Sequence, residues 1–145
     1  MTNPTEKIII GAREVVCFPA LNLCVRAKVD TGAKTSCLHA TDIHVEGRKG
    51  QQQISFVTLD ETSATPRTVR CQLPLLDRRK VRSSNGHSDW RYVVETEVLL
   101  GEFREKIQLT LADRSRMKYP MLLGRSAMEQ HLLVAPGAAY LQGSL

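Results

Sequence analysis

The sequence predicts an all-β domain, a barrel or sandwich of short strands closed by one short C-terminal helix. Three observations carry that expectation. Apolar residues recur with a period of two, turn residues punctuate them at close spacing, and helical periodicity is nearly absent. A chain of 145 residues is the size of one ordinary domain. No linker or low-complexity segment divides it, so residues 1–145 are read as a single domain. Aromatics make up only 5% of the chain, so the core is expected to be built from Val, Leu and Ile.

Residues 7–11 and 13–18 are rich in Ile and Val and are bounded by Gly11 and Pro19, which marks two strands. Val25, Ala27 and Val29 alternate with Arg26 and Lys28, the pattern of a strand with one buried face. Residues 36–46 alternate more loosely, and residues 47–53 form a polar turn. Residues 54–59 and 68–73 flank the turn-like stretch 60–67. Two longer β-rich runs, 90–100 and 104–112, are separated by Gly101-Glu102-Phe103, which suggests a hairpin. The best helical candidate is residues 125–133, directly after Gly124.

The formal charge is +5 with a pI near 9.2, an excess suited to nucleic acid, an anionic surface or an acidic polypeptide. The basic runs hold no interleaved aromatics and no recognised nucleic-acid motif, so no direct nucleic-acid partner is expected. No apolar run approaches the roughly 18 residues that span a bilayer. Ile8-Ile9-Ile10 is too short for a signal-peptide core, so a cytoplasmic protein without a membrane partner is expected. Cys17, Cys24, Cys37 and Cys71 form no CxxC pair and read as reduced, small apolar residues of strands. His39, His44, His87 and His131 show no metal-ligand spacing on a helix, and His39 and His44 should point to opposite faces of one strand. There is no HExxH and no Gly-rich loop followed by Lys-Ser or Lys-Thr, so neither a metal nor a cofactor is expected.

Two segments stand out for chemistry. Val29-Asp30-Thr31-Gly32-Ala33 places an Asp-Thr-Gly at the end of an alternating strand. Met121-Leu122-Leu123-Gly124 is an apolar strand ending in Gly much later in the chain. Alone, Asp-Thr-Gly is a turn that many folds use. Together the two segments resemble the retropepsins, whose subunits carry both. The likeness narrows to a bacterial family of small retropepsin-like aspartic peptidases, and within it to the RimB-like branch. It rests on residues 28–36, on Leu38-His39-Ala40, on Ser83-Ser84-Asn85-Gly86-His87, on Arg91-Tyr92-Val93-Val94 and on Met121-Leu122-Leu123-Gly124-Arg125. It runs from about Gly11 to Tyr140. Members have often been labelled ATP-dependent zinc proteases, a label these residues do not support.

The resemblance implies a closed β-barrel of the acid-protease type, present as a single-lobe subunit. Aspartic peptidases use two carboxylates that share one proton, one activating water and the other donating to the scissile carbonyl. This chain has one Asp-Thr-Gly, so a homodimer must bring two copies of Asp30 to a shared axis. Thr31 would bridge to the partner chain. Gly32 would let the backbone supply an N–H to the carboxylate, and Gly124 would let the second strand pass close behind. A flap is expected over residues 81–94, with its tip at residues 83–87. Gly86 and His87 would meet substrate there, and Trp90 and Tyr92 would anchor the returning strand.

Retroviral enzymes carry an acidic residue where this chain has Lys34, and it typically pairs with the Arg that follows the second Gly. Here Lys34 and Arg125 would stand as two cations flanking the dyad beside Ala33. Arg78, Arg79, Lys80 and Arg82 lead into the flap, and Arg91 follows it. These cations suit an acidic peptide. The RimB-like branch implies the same, being implicated in trimming a poly-glutamate tail on a ribosomal small-subunit protein by cleaving Glu–Glu bonds. The glutamate ligase encoded with that branch is a candidate partner. The alternative reading is a non-catalytic module on the same fold that binds acidic tails or the ligase.

Overall fold

Alternating burial organises nearly every segment of the computed structural model, which describes residues 6–82 and 85–145. The strands are β1 (Ile8–Ile10), β2 (Arg13–Phe18), β3 (Leu23–Asp30), β4 (Ser36–His39), β5 (Thr41–Glu46), β6 (Gln53–Asp60) and β7 (Arg67–Pro74). They continue with β8 (Asp77–Arg82), β9 (Ser88–Leu100), β10 (Phe103–Ala112), β11 (Met121–Gly124) and β12 (Leu132–Val134). Along β3, Leu23, Val25 and Ala27 are buried while Arg26 and Lys28 face solvent, as their period of two requires. The inward residues merge into one largely aliphatic core that includes Val16, Val25, Leu38, Ile54, Leu109 and Leu123, with Phe18 and Phe56 among them.

Seven strands form the main sheet in the order β10-β4-β11-β3-β2-β9-β8. Strand β9 also pairs with β10, from Phe103↔Leu100 to Thr110↔Val93, so the sheet curls back on itself. The β2–β9 contact rests on one register pair, Cys17↔Leu99. The sheet is therefore barrel-like, without the continuous closed ladder expected, because the β2–β9 seam is a single pair. Strands β5, β6 and β7 form a separate antiparallel sheet, and β1 pairs with β12 in parallel. The run expected over residues 36–46 divides at Ala40. Its first half joins the main sheet and its second half the three-stranded one, with Asp42 at φ 49° and a register shift between Thr41 and His44.

Two further expectations are corrected. The helix expected over residues 125–133 is only a 3-10 turn, Arg125–Ala127, whose start at Gly124 has no side-chain cap. Apolar Leu132–Val134 then pairs with Ile8–Ile10, and the sheet takes the segment that a helix would have used. Cys17 and Cys24 are not reduced; they form a disulfide across the β2–β3 hairpin, where the register sets them opposite each other. Cys37 and Cys71 are buried thiols, as expected of small apolar strand residues.

Two buried carboxylates tie loops to this frame. Glu14 is wholly buried and accepts N–H groups from Gly11 at 2.7 Å, Leu141 at 3.0 Å and Gln142 at 3.1 Å, which docks the C-terminal segment beside β2. Asp60, also buried, accepts from the Cys24 and Thr62 N–H groups and from the Arg67 Nε. Among the described residues no helix is long and apolar enough to cross a membrane.

Candidate active site

Strand β3 ends at Asp30, and its parallel neighbour β11 ends at Gly124, in register with it. Two chain reversals therefore begin side by side, and backbone hydrogen bonds join them. The Arg125 N–H donates to the Ala33 carbonyl at 2.8 Å, and the Ser126 N–H to that of Lys34 at 3.0 Å. The Gly124 N–H donates to the Ser36 Oγ at 2.9 Å. A Cβ on Gly124 would lie 2.7 Å from the Thr35 carbonyl carbon and 2.9 Å from its oxygen, so only glycine permits this approach.

Within the loop, the Gly32 N–H donates to the Asp30 Oδ1 at 2.9 Å. That bond fixes the orientation of the carboxylate. The Ala33 N–H donates to the Asp30 carbonyl at 3.3 Å. Asp30 is half-buried, while Thr31 and Gly32 are exposed. In one chain, then, the carboxylate is held by its own loop and remains partly open to solvent.

The cations divide between several tasks. Arg125 does not stand as an unengaged charge beside Lys34. Its guanidinium donates to the carbonyls of both Thr31 and Gly32 at 3.3 Å, bracing the loop from the C-terminal side. Lys34 is exposed and lines a cleft of about 450 Å³ together with Thr35, Ser36, Arg79, Gln108 and Ser126. Glu95, Glu105 and Lys106 share that lining, so its charge is mixed. Among the described residues, neither Lys34 nor Arg125 has a carboxylate within ion-pair distance.

Strands β8 and β9 form the hairpin expected as a flap, beginning at Asp77, earlier than residue 81. Gly86 at φ 86° suits its turn, and the His87 N–H donates to the Asn85 Oδ1 at 3.2 Å. Ser83 and Ser84, also expected at the tip, lie outside the described residues. The register places Arg79 opposite Arg91 and Arg78 opposite Tyr92, so Arg78 stands on the other face from Arg79 and Arg91. Arg79 binds Asp77 at 2.7 Å and the Gln108 Oε1 at 2.8 Å. Arg91 reaches inward to the Cys37 sulfur at 3.9 Å, with its Nε 3.4 Å from Asp89. The arginines grouped together by sequence are thus brought together only in part.

Sequence reasoning gave Ser36 and Gln108 no role, although one holds Gly124 and the other holds Arg79. Ser36 lies inside the motif segment and opens the fully buried strand β4, but its partner Gly124 is far away in the chain. His39 and His44 fall on different strands, one buried and one exposed. The buried His39 Nδ1 accepts the Arg114 N–H at 2.8 Å, and burial lowers its pKa against the raising effect of Asp113. Among the described residues, no three His, Cys, Asp or Glu side chains group as metal ligands would.

An aspartate in a glycine-turned loop, braced by a second glycine-ended strand, is the arrangement that the resemblance to retropepsin-like proteins led one to expect. The chain belongs to the RimB-like family of retropepsin-like aspartic endopeptidases, whose match spans residues 9–144. It is 40% identical over 139 residues to a probable alpha-L-glutamate ligase of Shewanella pealeana, and 39% identical over 142 residues to one of Parasynechococcus marenigrum. Those alignments take in 95% and 97% of this chain, which spans about 30% of the length of either relative. A crystal structure of a Legionella pneumophila protein of unknown function superposes with a TM-score of 0.76 at 30% identity, over 92% of this chain and 97% of that one.

Proposed function

We propose that two copies of this chain bring their Asp30 side chains together as an aspartic dyad that hydrolyses acidic peptides. The favoured substrate is the Glu–Glu bonds of a poly-glutamate tail on a ribosomal small-subunit protein. The observation that carries the reading is the Asp30 loop itself, with Gly32 donating to the carboxylate and Gly124 and Arg125 bracing it from behind. One carboxylate is supplied per chain, and the chemistry needs two. The two would share one proton, one copy activating water while the other donates to the peptide carbonyl. Thr31, exposed in the same loop, would bridge to the second copy.

Glutamate as the substrate side chain rests on two supports. Lys34 offers an exposed cation next to the loop, and Arg79 lines the same cleft. The relatives named as glutamate ligases contain a segment like this chain, which links the domain to proteins named for joining glutamate. The test is mass spectrometry of a Glu-extended C-terminal peptide incubated with wild-type protein and with Asp30→Asn. Wild type is expected to release species shortened by whole glutamates, and Asp30→Asn to release none. An uncut peptide with wild type rejects the peptidase reading.

The presence of this segment within larger proteins named as ligases supports a second reading, a module that holds acidic tails without cutting them. In that case Asp30→Asn and wild type bind the Glu-extended peptide alike and neither shortens it.

A further inference from the structure

One face of the β8–β9 hairpin, on the side from which Val94, Val98 and Leu100 enter the core further along β9, is not used by the proposed peptidase chemistry. Its register sets Arg78 against Tyr92, Lys80 against Trp90 and Arg82 against Ser88, so these six side chains share one face. The Arg78 guanidinium lies 5.2 Å from the centroid of the Trp90 ring and 6.0 Å from that of Tyr92. Trp90 is 58% exposed, and Arg78, Lys80 and Arg82 are all exposed. The hairpin's acids project from the opposite face, where Asp77 is bound to Arg79 at 2.7 Å and Asp89 sits 3.4 Å from Arg91. Among the described residues this face therefore presents three cations about 7 Å apart along one strand, with two aromatic rings and no carboxylate.

A glutamate tail would engage the cations and leave the exposed indole without a role. A single-stranded nucleic acid supplies both halves of the match, phosphates for the cations and base faces for the indole. No aromatic occurs within residues 78–82, which is why the sequence alone argued against such a partner. The rings come instead from the strand paired across the hairpin. Strand β8 ends the main sheet and pairs only with β9 among the described residues, so this edge is open to an extended ligand. We propose that this face of the β8–β9 hairpin binds single-stranded nucleic acid, with Arg78, Lys80 and Arg82 on phosphates and a base stacked on Trp90.

Trp90 is the only tryptophan in the chain, so its fluorescence reports on this face alone. The full chain is titrated with a 12-mer of oligouridine, with oligothymidine of the same length, with duplex RNA and with a 12-residue poly-glutamate peptide. Saturable quenching by the single strands is expected, and the two single-strand arms separate RNA from DNA as the source. With three phosphates engaged, affinity should fall about 20-fold between 50 and 200 mM salt, and Lys80→Gln should lower the log–log salt slope by about 0.7. By anisotropy of a labelled oligonucleotide, Trp90→Phe keeps most of the binding and Trp90→Ala loses about tenfold or more. Asp30→Asn should bind like wild type, which separates this site from the proposed dyad. Absence of quenching by either single strand overturns the proposal. So does a poly-glutamate peptide that quenches as strongly and displaces the oligonucleotide.

Discussion

Burial alone would raise the pKa of Asp60, yet hydrogen bonds from Thr62, from the Cys24 N–H and from Arg67 outweigh it and hold the carboxyl at about 2. Its ordinary value is 3.8. Because the folded pKa is depressed, the ionised carboxylate contributes stability that is complete above pH 3.8 and is lost as the pH falls toward 2. Asp60→Asn should therefore cost about 2 kcal/mol near neutrality, with the deficit shrinking as the pH drops through that window. Urea midpoints of both proteins from pH 7 to pH 2.5 measure it, and a deficit independent of pH would refute the assignment. Gly124 is the residue at which sequence and structure agree most closely. Its place at the end of an apolar run marked it, and the 2.7 Å approach to Thr35 explains it. Gly124→Ala must displace the Asp30 loop by several tenths of an ångström or more, and misplacement on that scale costs up to about 100-fold in rate. In the Glu-extended peptide assay kcat/KM is expected to collapse while the circular dichroism spectrum persists; wild-type turnover would show that the loop does not need this packing. Ser36 was not legible in the same way, because its role depends on a strand that arrives 88 residues later.

Among the elements, strands with alternating burial were readable and their partners were not. The β2 and β10 bounds follow the sequence periodicity closely, as does the β9–β10 hairpin through Gly101, whose φ of 60° suits its turn. Residues 125–133 misled because their composition tolerates a helix, and only the availability of β1 as a partner tips Leu132–Val134 into a strand. The Cys17–Cys24 disulfide had a signal that went unread: the two cysteines stand equidistant from the turn between Phe18 and Leu23. Once β2 and β3 are taken as a hairpin, that symmetry places them opposite each other. The closed loop is short, so the chain-entropy contribution is about 2 kcal/mol. Cys17→Ser should lower the urea midpoint by a corresponding amount, and reductant should lower the wild-type midpoint without affecting the variant. If reductant shifts both equally, the bond is not the source of the difference.

At the scale of the whole molecule, local patterning specified an all-β chain but not its closure. Asp30 gains its setting from β11, nearly a hundred residues away, and the curl of the sheet from β9 meeting β10. Long-range pairings of this kind carry no local periodicity, which is why the expected barrel was recognised by its motifs and its seam at β2–β9 was not. The same scale governs the proposed activity, since a dyad assembled from two chains has a stoichiometry that can be measured. Asp30→Asn keeps the shape of the side chain but removes its charge, so variant subunits should still associate with wild type. When a fixed amount of wild-type protein exchanges subunits with a threefold excess of Asp30→Asn, random pairing puts most wild-type chains into mixed dimers holding a single carboxylate. The remaining wild-type pairs should give about a quarter of the original rate on the Glu-extended peptide. Sedimentation of the same mixtures should show one dimeric species throughout. A rate unchanged by the added variant, with subunit exchange demonstrated by mass, would mean that each chain works alone and that Asp30 does not share its proton with a second copy.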